Sequence, residues 1–250
     1  MPDPKSWGPN PGPLALEEAE IHVWRAYLDR AEMVLHQFEA TLSTDEKARA
    51  DRFVFRRDRN HFVATRGLLR ELLGMYLSRS PQDLQFDYGA LGKPSLRGEI
   101  FNHAVQFNVS HSHGLALLAF TVGRNLGVDV EFVRPGFASE EIANRYFSPQ
   151  EVAELRTLSP SLQEEGFFLC WTRKEAYVKA RGEGLHIPLE SFQVSLTPGQ
   201  PETLKSPDSY RWRMWSLHPD PQYVGALVVE GQDMRLRQWG WQPPDSPGGR

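Results

Sequence analysis

Residues 171–184 read Trp-Thr-Arg-Lys-Glu-Ala-Tyr-Val-Lys-Ala-Arg-Gly-Glu-Gly, and they set two opposite charges where a core helix wants apolar atoms. With Phe167 at the origin and about 100° per residue, Val178 falls at about 20°, Trp171 at about 40°, Glu175 at about 80° and Phe168 at about 100°. Glu175 is therefore expected inside the apolar stripe, and Lys179, one turn on, borders it. Taken alone, the pair is equally well explained as a structural i,i+4 ion pair, which is worth little when exposed.

The 250-residue chain is long enough to bury a substantial core, as one domain or two tightly packed halves. Its formal charge of -4 gives no global attraction to nucleic acid or to an anionic membrane, so any anion site must be local. The single cysteine, Cys170, excludes an intrachain disulfide framework and a thiolate metal cage. The N-terminus lacks a basic segment followed by an apolar one, and no apolar run nears the length of a membrane span, so cytoplasmic residence is expected. Pro- and Gly-rich residues 1–13 and 241–250 are expected to be flexible tails. They flank an N-terminal half, 14–122, and a C-terminal half, 123–240.

Outward from the opening stretch, Ile21–Leu28 suits a strand. Ser43 with Glu46 forms a capping-box pattern, with Leu42 as the staple, so a helical stretch opens there. Between Lys47 and Arg70 lie Arg49, Arg52, Arg56, Arg57, Arg59 and Arg66 against only Asp51 and Asp58. These arginines are either solvated helix faces or, for some, a shared phosphate site, since a guanidinium offers forked donors. Gly92-Lys93-Pro94 is a turn. Residues 105–113 form a short strand whose end carries Ser110, His111 and Ser112, positions suited equally to ligand contacts and to backbone-satisfied polar groups. His111 and His113 find no third nitrogen or sulfur ligand at zinc-like spacing.

Leu126-Gly-Val-Asp-Val-Glu-Phe132 alternates, placing Asp129 and Glu131 on one strand face. Two adjacent carboxylates fit a solvated face, or a divalent cation such as Mg²⁺, which prefers oxygen ligands. Glu175 is then a candidate third carboxylate. Later strands are expected at Ser191–Leu196, Tyr210–Leu217, Tyr223–Glu230 and Met234–Trp239.

Four motifs, Phe107-Asn-Val-Ser-His-Ser112, Gly127-Val-Asp-Val-Glu131, Phe147-Ser-Pro-Gln-Glu151 and Trp171-Thr-x-Lys-Glu-Ala-Tyr-x-Lys-x-x-Gly182, resemble in order and spacing the 4'-phosphopantetheinyl transferases of the surfactin-synthetase-activating (Sfp-like) type. The resemblance spans roughly residues 20–230. It implies an α+β fold of two similar strand-and-helix halves related by a pseudo-twofold axis, acting as a monomer. It further implies transfer of the phosphopantetheine arm of coenzyme A to a serine of an acyl, peptidyl or aryl carrier protein, releasing adenosine 3',5'-bisphosphate.

By motif, Asp129, Glu131 and Glu175 would hold Mg²⁺, with Mn²⁺ as a substitute, and Lys179 would neutralise the pyrophosphate. Glu175, or a water near it, would take the serine proton. Lys93, Pro94, Ser110 and His111 would touch the nucleotide and its 3'-phosphate, joined by Arg66; Glu46 is acidic where some relatives are basic. The acceptor would dock near Phe137–Phe147. Two other classes use the same residues: a Mg²⁺-dependent nucleotide phosphotransferase or hydrolase with another substrate, and a non-catalytic carrier-binding protein.

Overall fold

The computed structural model describes residues 7–11, 14–89, 92–99, 104–134, 136, 140–182 and 187–243. Its elements come in two rounds of the same order. The first runs through strand β1 (Glu20–Tyr27), helices α1 (Glu32–Thr41), α2 (Thr44–Ala50) and α3 (Arg56–Leu77), a short hairpin of β2 (Phe86–Tyr88) and β3 (Pro94–Leu96), and a long hairpin of β4 (Val105–Ser112) and β5 (Leu115–Val122). The second repeats it with β6 (Leu126–Phe132), α4 (Glu140–Tyr146), α5 (Pro149–Thr157), α6 (Pro160–Arg181), β7 (Gln193–Val194), β8 (Leu204–Lys205), β9 (Trp212–Asp220) and β10 (Tyr223–Glu230). Each half forms an antiparallel sheet of the same connectivity, β1-β5-β4 and β6-β10-β9. The fold is thus α+β with two similar halves.

The sheets pack face to face. Ile21, Val23, Leu115 and Leu117 of the first meet Val128, Val130, Leu227 and Val229 of the second, while helices cover the two outer faces. Because β5 is buried on both faces, it reads as a continuous apolar run rather than an alternating one. Among the described residues, no helix is long and apolar enough to cross a membrane.

Two expectations about the ends do not hold. A last strand, β11 (Arg235–Gly240), returns to the first sheet and pairs parallel to β1, from Glu20↔Arg235 to Arg25↔Gly240, so it does not belong to the C-terminal half. Trp241 is buried in the N-terminal core. Residues 7–11 are likewise held: Gly8 bridges Trp239, Gly240 N–H donates to Gly8 O at 2.8 Å, and Trp7 Nε1 donates to His218 O at 2.9 Å. The physical reason is that β11 would otherwise present an unpaired edge, and the proline-flanked tail covers it.

The duplication extends to a buried cation in each half. Ser43 and Glu46 cap α2, and Ser148 and Glu151 cap α5, each as a capping box. Each capping glutamate also pairs with the fifteenth residue of a 22-residue helix: Arg70 Nε lies 2.7 Å from Glu46 Oε2, and Lys174 Nζ lies 2.8 Å from Glu151 Oε2. Arg70 also donates to Pro81 O and Leu84 O, and Lys174 to Leu189 O and Phe192 O. Each cation stacks on an aromatic ring, Phe86 or Phe192. The long helix, the short helix before it and the chain after it are thereby tied at one point in each half.

Candidate active site

Strands β4 and β6 belong to different sheets, and side chains join them. Asn108 Oδ1 accepts Val128 N–H at 2.8 Å, Ser110 Oγ donates to Asp129 Oδ1 at 2.9 Å, and Ser112 Oγ donates to Glu131 Oε2 at 2.7 Å. Asp129 and Glu131 share one face of β6, as the alternation implies, and that face meets the polar end of β4. Gly127, on the same face of β6, admits α6: a Cβ there would lie 2.1 Å from Ala176 O and 2.4 Å from Ala180 N. The bare backbone lets the helix settle directly on the strand, carrying Glu175 and Lys179 over the carboxylates. Gly127→Ala should force the two apart, lowering stability by about 1–3 kcal/mol or more and turnover with it. Thermal unfolding and initial rates check this, and a variant matching wild type in both would contradict the packing argument.

Glu175 does not sit inside an apolar stripe. From Phe167 to Ala180 the helix is buried at every position except Trp171, Glu175 and Lys179, which lie one turn apart along its single open line. The helix also carries two enclosed cations, Lys174 and Arg173. Arg173 donates from its two terminal nitrogens to Ser195 and Ser216, while its Nε has no hydrogen-bond partner.

Lys179 Nζ lies 2.6 Å from Asp129 Oδ1 and donates to Ser110 Oγ at 3.2 Å and Val128 O at 3.3 Å. Its strongest partner is thus Asp129 rather than the neighbouring turn of its own helix. Asp129 is buried, and its second oxygen, Oδ2, has no hydrogen-bond partner. Burial pushes the Glu175 carboxyl above the usual carboxylate range, Asp129 and Glu131 add to the rise, and Lys179 opposes it. Glu131 is also raised, by burial first and by Asp129, against the Ser112 hydrogen bond and Lys179.

A buried carboxylate oxygen without a donor, beside two carboxyls that repel it and each other, is a donor set suited to a divalent cation. Among the described residues, no group of three or more His, Cys, Asp or Glu side chains is placed to hold a metal ion. Mg²⁺ does not require one, because it binds through one or two carboxylates, waters and substrate phosphates.

The other expected site residues divide. Lys93, from the first half, donates to Lys179 O at 2.9 Å and Leu126 O at 3.2 Å, so it stands at the C-terminal end of α6 where the helix dipole favours a cation. Burial and the charge of Lys179 pull its pKa down to about 8. Pro94 opens β3 opposite Tyr88.

Ser110 is wedged between Asp129 and Lys179. His111 is exposed, and desolvation, His61 and Lys179 lower its pKa. Arg66 is engaged elsewhere: its Nε lies 3.3 Å from Glu46 Oε1, it donates to Tyr88 OH, and it stacks on Phe86 and Tyr88. In the region expected to dock the acceptor, Phe147 is a core residue, and Phe137 lies outside the described residues.

Sequence reading assigned no role to Gly127 or Lys174. The signals were a glycine inside a strand pattern and a second Ser-x-x-Glu box.

Only one half has this chemistry. In register, Trp24 stands where Asp129 does, and on α3 Glu71 and Met75 stand where Glu175 and Lys179 do. Trp24 fills the position, and Trp241 Nε1 donates to Glu71 at 3.4 Å. Aromatic rings have closed the first half's counterpart.

A family model for the 4'-phosphopantetheinyl transferase superfamily matches residues 125–228, and one for the N-terminal part of a 4'-phosphopantetheinyl transferase matches residues 26–122. The chain is similar to the 4'-phosphopantetheinyl transferase HetI of Nostoc sp. (strain PCC 7120), 42% identical over 238 residues that cover 95% of this chain and 96% of that protein. It is also similar to the 4'-phosphopantetheinyl transferase Sfp of Bacillus subtilis (strain 168), 28% identical over 85% of this chain and 94% of that protein. Among solved structures, a holo-(acyl-carrier-protein) synthase from Bacillus anthracis in complex with CoA matches 42% of this chain and 94% of its own at 21% identity, with a TM-score of 0.37.

Proposed function

Since the chain belongs to the 4'-phosphopantetheinyl transferase family, we propose that the cleft between β4, β6 and α6 transfers the phosphopantetheine arm of coenzyme A to a serine of an apo carrier protein. The single observation that carries the assignment to this cleft is the buried, unpartnered Asp129 Oδ2, set among raised carboxyls beside Lys179.

In this reading Asp129, Glu131 and Glu175 hold Mg²⁺, or Mn²⁺ in its place. The cation supplies neutralisation of the pyrophosphate charge. The serine oxygen bonds to the phosphorus bearing the pantetheine arm, the bond from that phosphorus to the bridging oxygen breaks, and adenosine 3',5'-bisphosphate departs. Lys179 places a fixed positive charge where negative charge grows. Glu175 takes the serine proton, directly or through a water beside it. Lys93, Pro94, Ser110 and His111 line the nucleotide side. One chain supplies both walls of the cleft, which supports action as a monomer, and coenzyme A as donor fits residence in the cytoplasm.

Release of adenosine 3',5'-bisphosphate with and without an apo carrier tests this. Release that requires the carrier, mole for mole with modified serine, is the expected result. Equal release in buffer alone would instead make the protein a hydrolase.

Lys93 gives a second check. With its pKa at about 8, roughly half of it lacks a proton at pH 8. An anion bound beside it raises that pKa, so coenzyme A binding at pH 8 should take up roughly half a proton. Calorimetry in buffers of different ionisation enthalpy reads the uptake, and buffer-independent heats would place Lys93 away from the phosphates.

A further inference from the structure

Residues 51–58, Asp-Arg-Phe-Val-Phe-Arg-Arg-Asp, join α2 to α3 and are exposed at every position, Val54 at 90% and Phe55 at 69%. The segment is held in place: Phe53 N–H donates to Ala50 O at 3.2 Å and Arg59 N–H to Phe55 O at 3.1 Å, while the Phe53 ring packs 5.5 Å from Phe62. Phe53 is the anchor, and Val54 and Phe55 are presented to water. Ordered apolar side chains kept exposed together mark an interaction surface.

The knob is basic at its base. Arg52, Arg56 and Arg57 flank the apolar residues, and the pairs Arg56–Glu32 and Arg57–Asp29, at 3.2 and 3.9 Å, are solvent-exposed on both sides and so weakly held. Carboxylates of a partner can replace Glu32 and Asp29 at little cost. The knob is also continuous with the cleft. Arg57 and His61 flank Gly114 in the β4–β5 turn, which follows directly on Ser112, the partner of Glu131.

We propose that Phe53–Val54–Phe55 and its flanking arginines dock the acceptor: an acidic protein with an apolar helical face, whose serine then lies over the cleft. This rests on the transfer reading above. An acceptor whose hydroxyl enters the cleft must cover its rim, which a lipid surface need not do.

The test separates docking from turnover. Equilibrium binding is measured between the full chain and an apo carrier whose acceptor serine is replaced by alanine, using wild type and the Val54→Ser/Phe55→Ser variant. These substitutions touch no core or cleft residue. The variant should bind about tenfold or more weaker, and with the native carrier its KM for carrier should rise while its KM for coenzyme A and its kcat stay unchanged. Arg52→Ser/Arg56→Ser should flatten the salt dependence of binding.

Unchanged carrier affinity in the Val54/Phe55 variant overturns the proposal. So does a variant that binds carrier normally but no longer sediments with phosphatidylserine vesicles, or no longer self-associates. Failure of wild type to modify any carrier would count against the transfer reading; carrier binding lost with the knob would still support docking.

Discussion

Asp129→Ala is expected to lower kcat/KM for transfer by on the order of a thousandfold or more, as loss of a charge that organises a phosphoryl-transfer site does. The protein should remain folded. Asp129 pairs with Lys179 at 2.6 Å, but the Lys179 side chain is 29% exposed and can turn to water when its partner is removed. The substitution also takes away a charge that raises both Glu131 and Glu175. The loss and the relief oppose one another, so the unfolding midpoint should stay close to wild type. Kinetics with a saturating carrier, together with thermal unfolding, read both quantities, and near-normal turnover would remove Asp129 from the metal site.

Lys174→Met is expected to do the reverse, costing about 3–5 kcal/mol of stability because it leaves Glu151 buried and uncompensated. Both side chains are almost wholly enclosed, at 0% and 2% exposure. Lys174 donates to two carbonyls besides Glu151, so its loss frees three acceptors at once. Adding Glu151→Gln should recover part of the loss. Arg70→Met in the other half should behave alike, because the same tie is built there. Denaturant unfolding measures the effect. A Lys174→Met protein with the wild-type midpoint would refute the tie, and a folded variant with more than about a hundredfold loss in kcat would make Lys174 catalytic.

Much of the architecture was readable where the signal was local. The alternation of Leu126–Phe132 fixed which face carries Asp129 and Glu131, and Ser43 with Glu46 marked the start of α2. The opening stretch is placed over Asp129 and Glu131, but its own burial pattern was misread. Periodicity alone put Glu175 in an apolar stripe, whereas the helix is buried around most of its girth, Arg173 and Lys174 included, and Glu175 lies on its one open line. Helix α1 gave no start signal because Ala31, its N-cap, offers no side-chain acceptor. β11 was legible as a strand but not as a member of the first sheet, because its pairing to β1 joins residues more than two hundred positions apart. The internal duplication was invisible because topology and chemical role were kept while identities diverged: Trp24 opposite Asp129, Met75 opposite Lys179, Arg70 opposite Lys174.

The central claim, that this cleft moves phosphopantetheine from coenzyme A to a carrier serine with help from Mg²⁺, is tested most directly by intact mass. A panel of apo carriers is incubated with the protein and coenzyme A, with Mg²⁺ or with chelator. The account predicts that at least one carrier gains the mass of a single phosphopantetheinyl group in Mg²⁺, lost on chelation and lost in Asp129→Ala. Carriers unchanged in mass throughout, or modified equally by chelated enzyme and by Asp129→Ala, would contradict it.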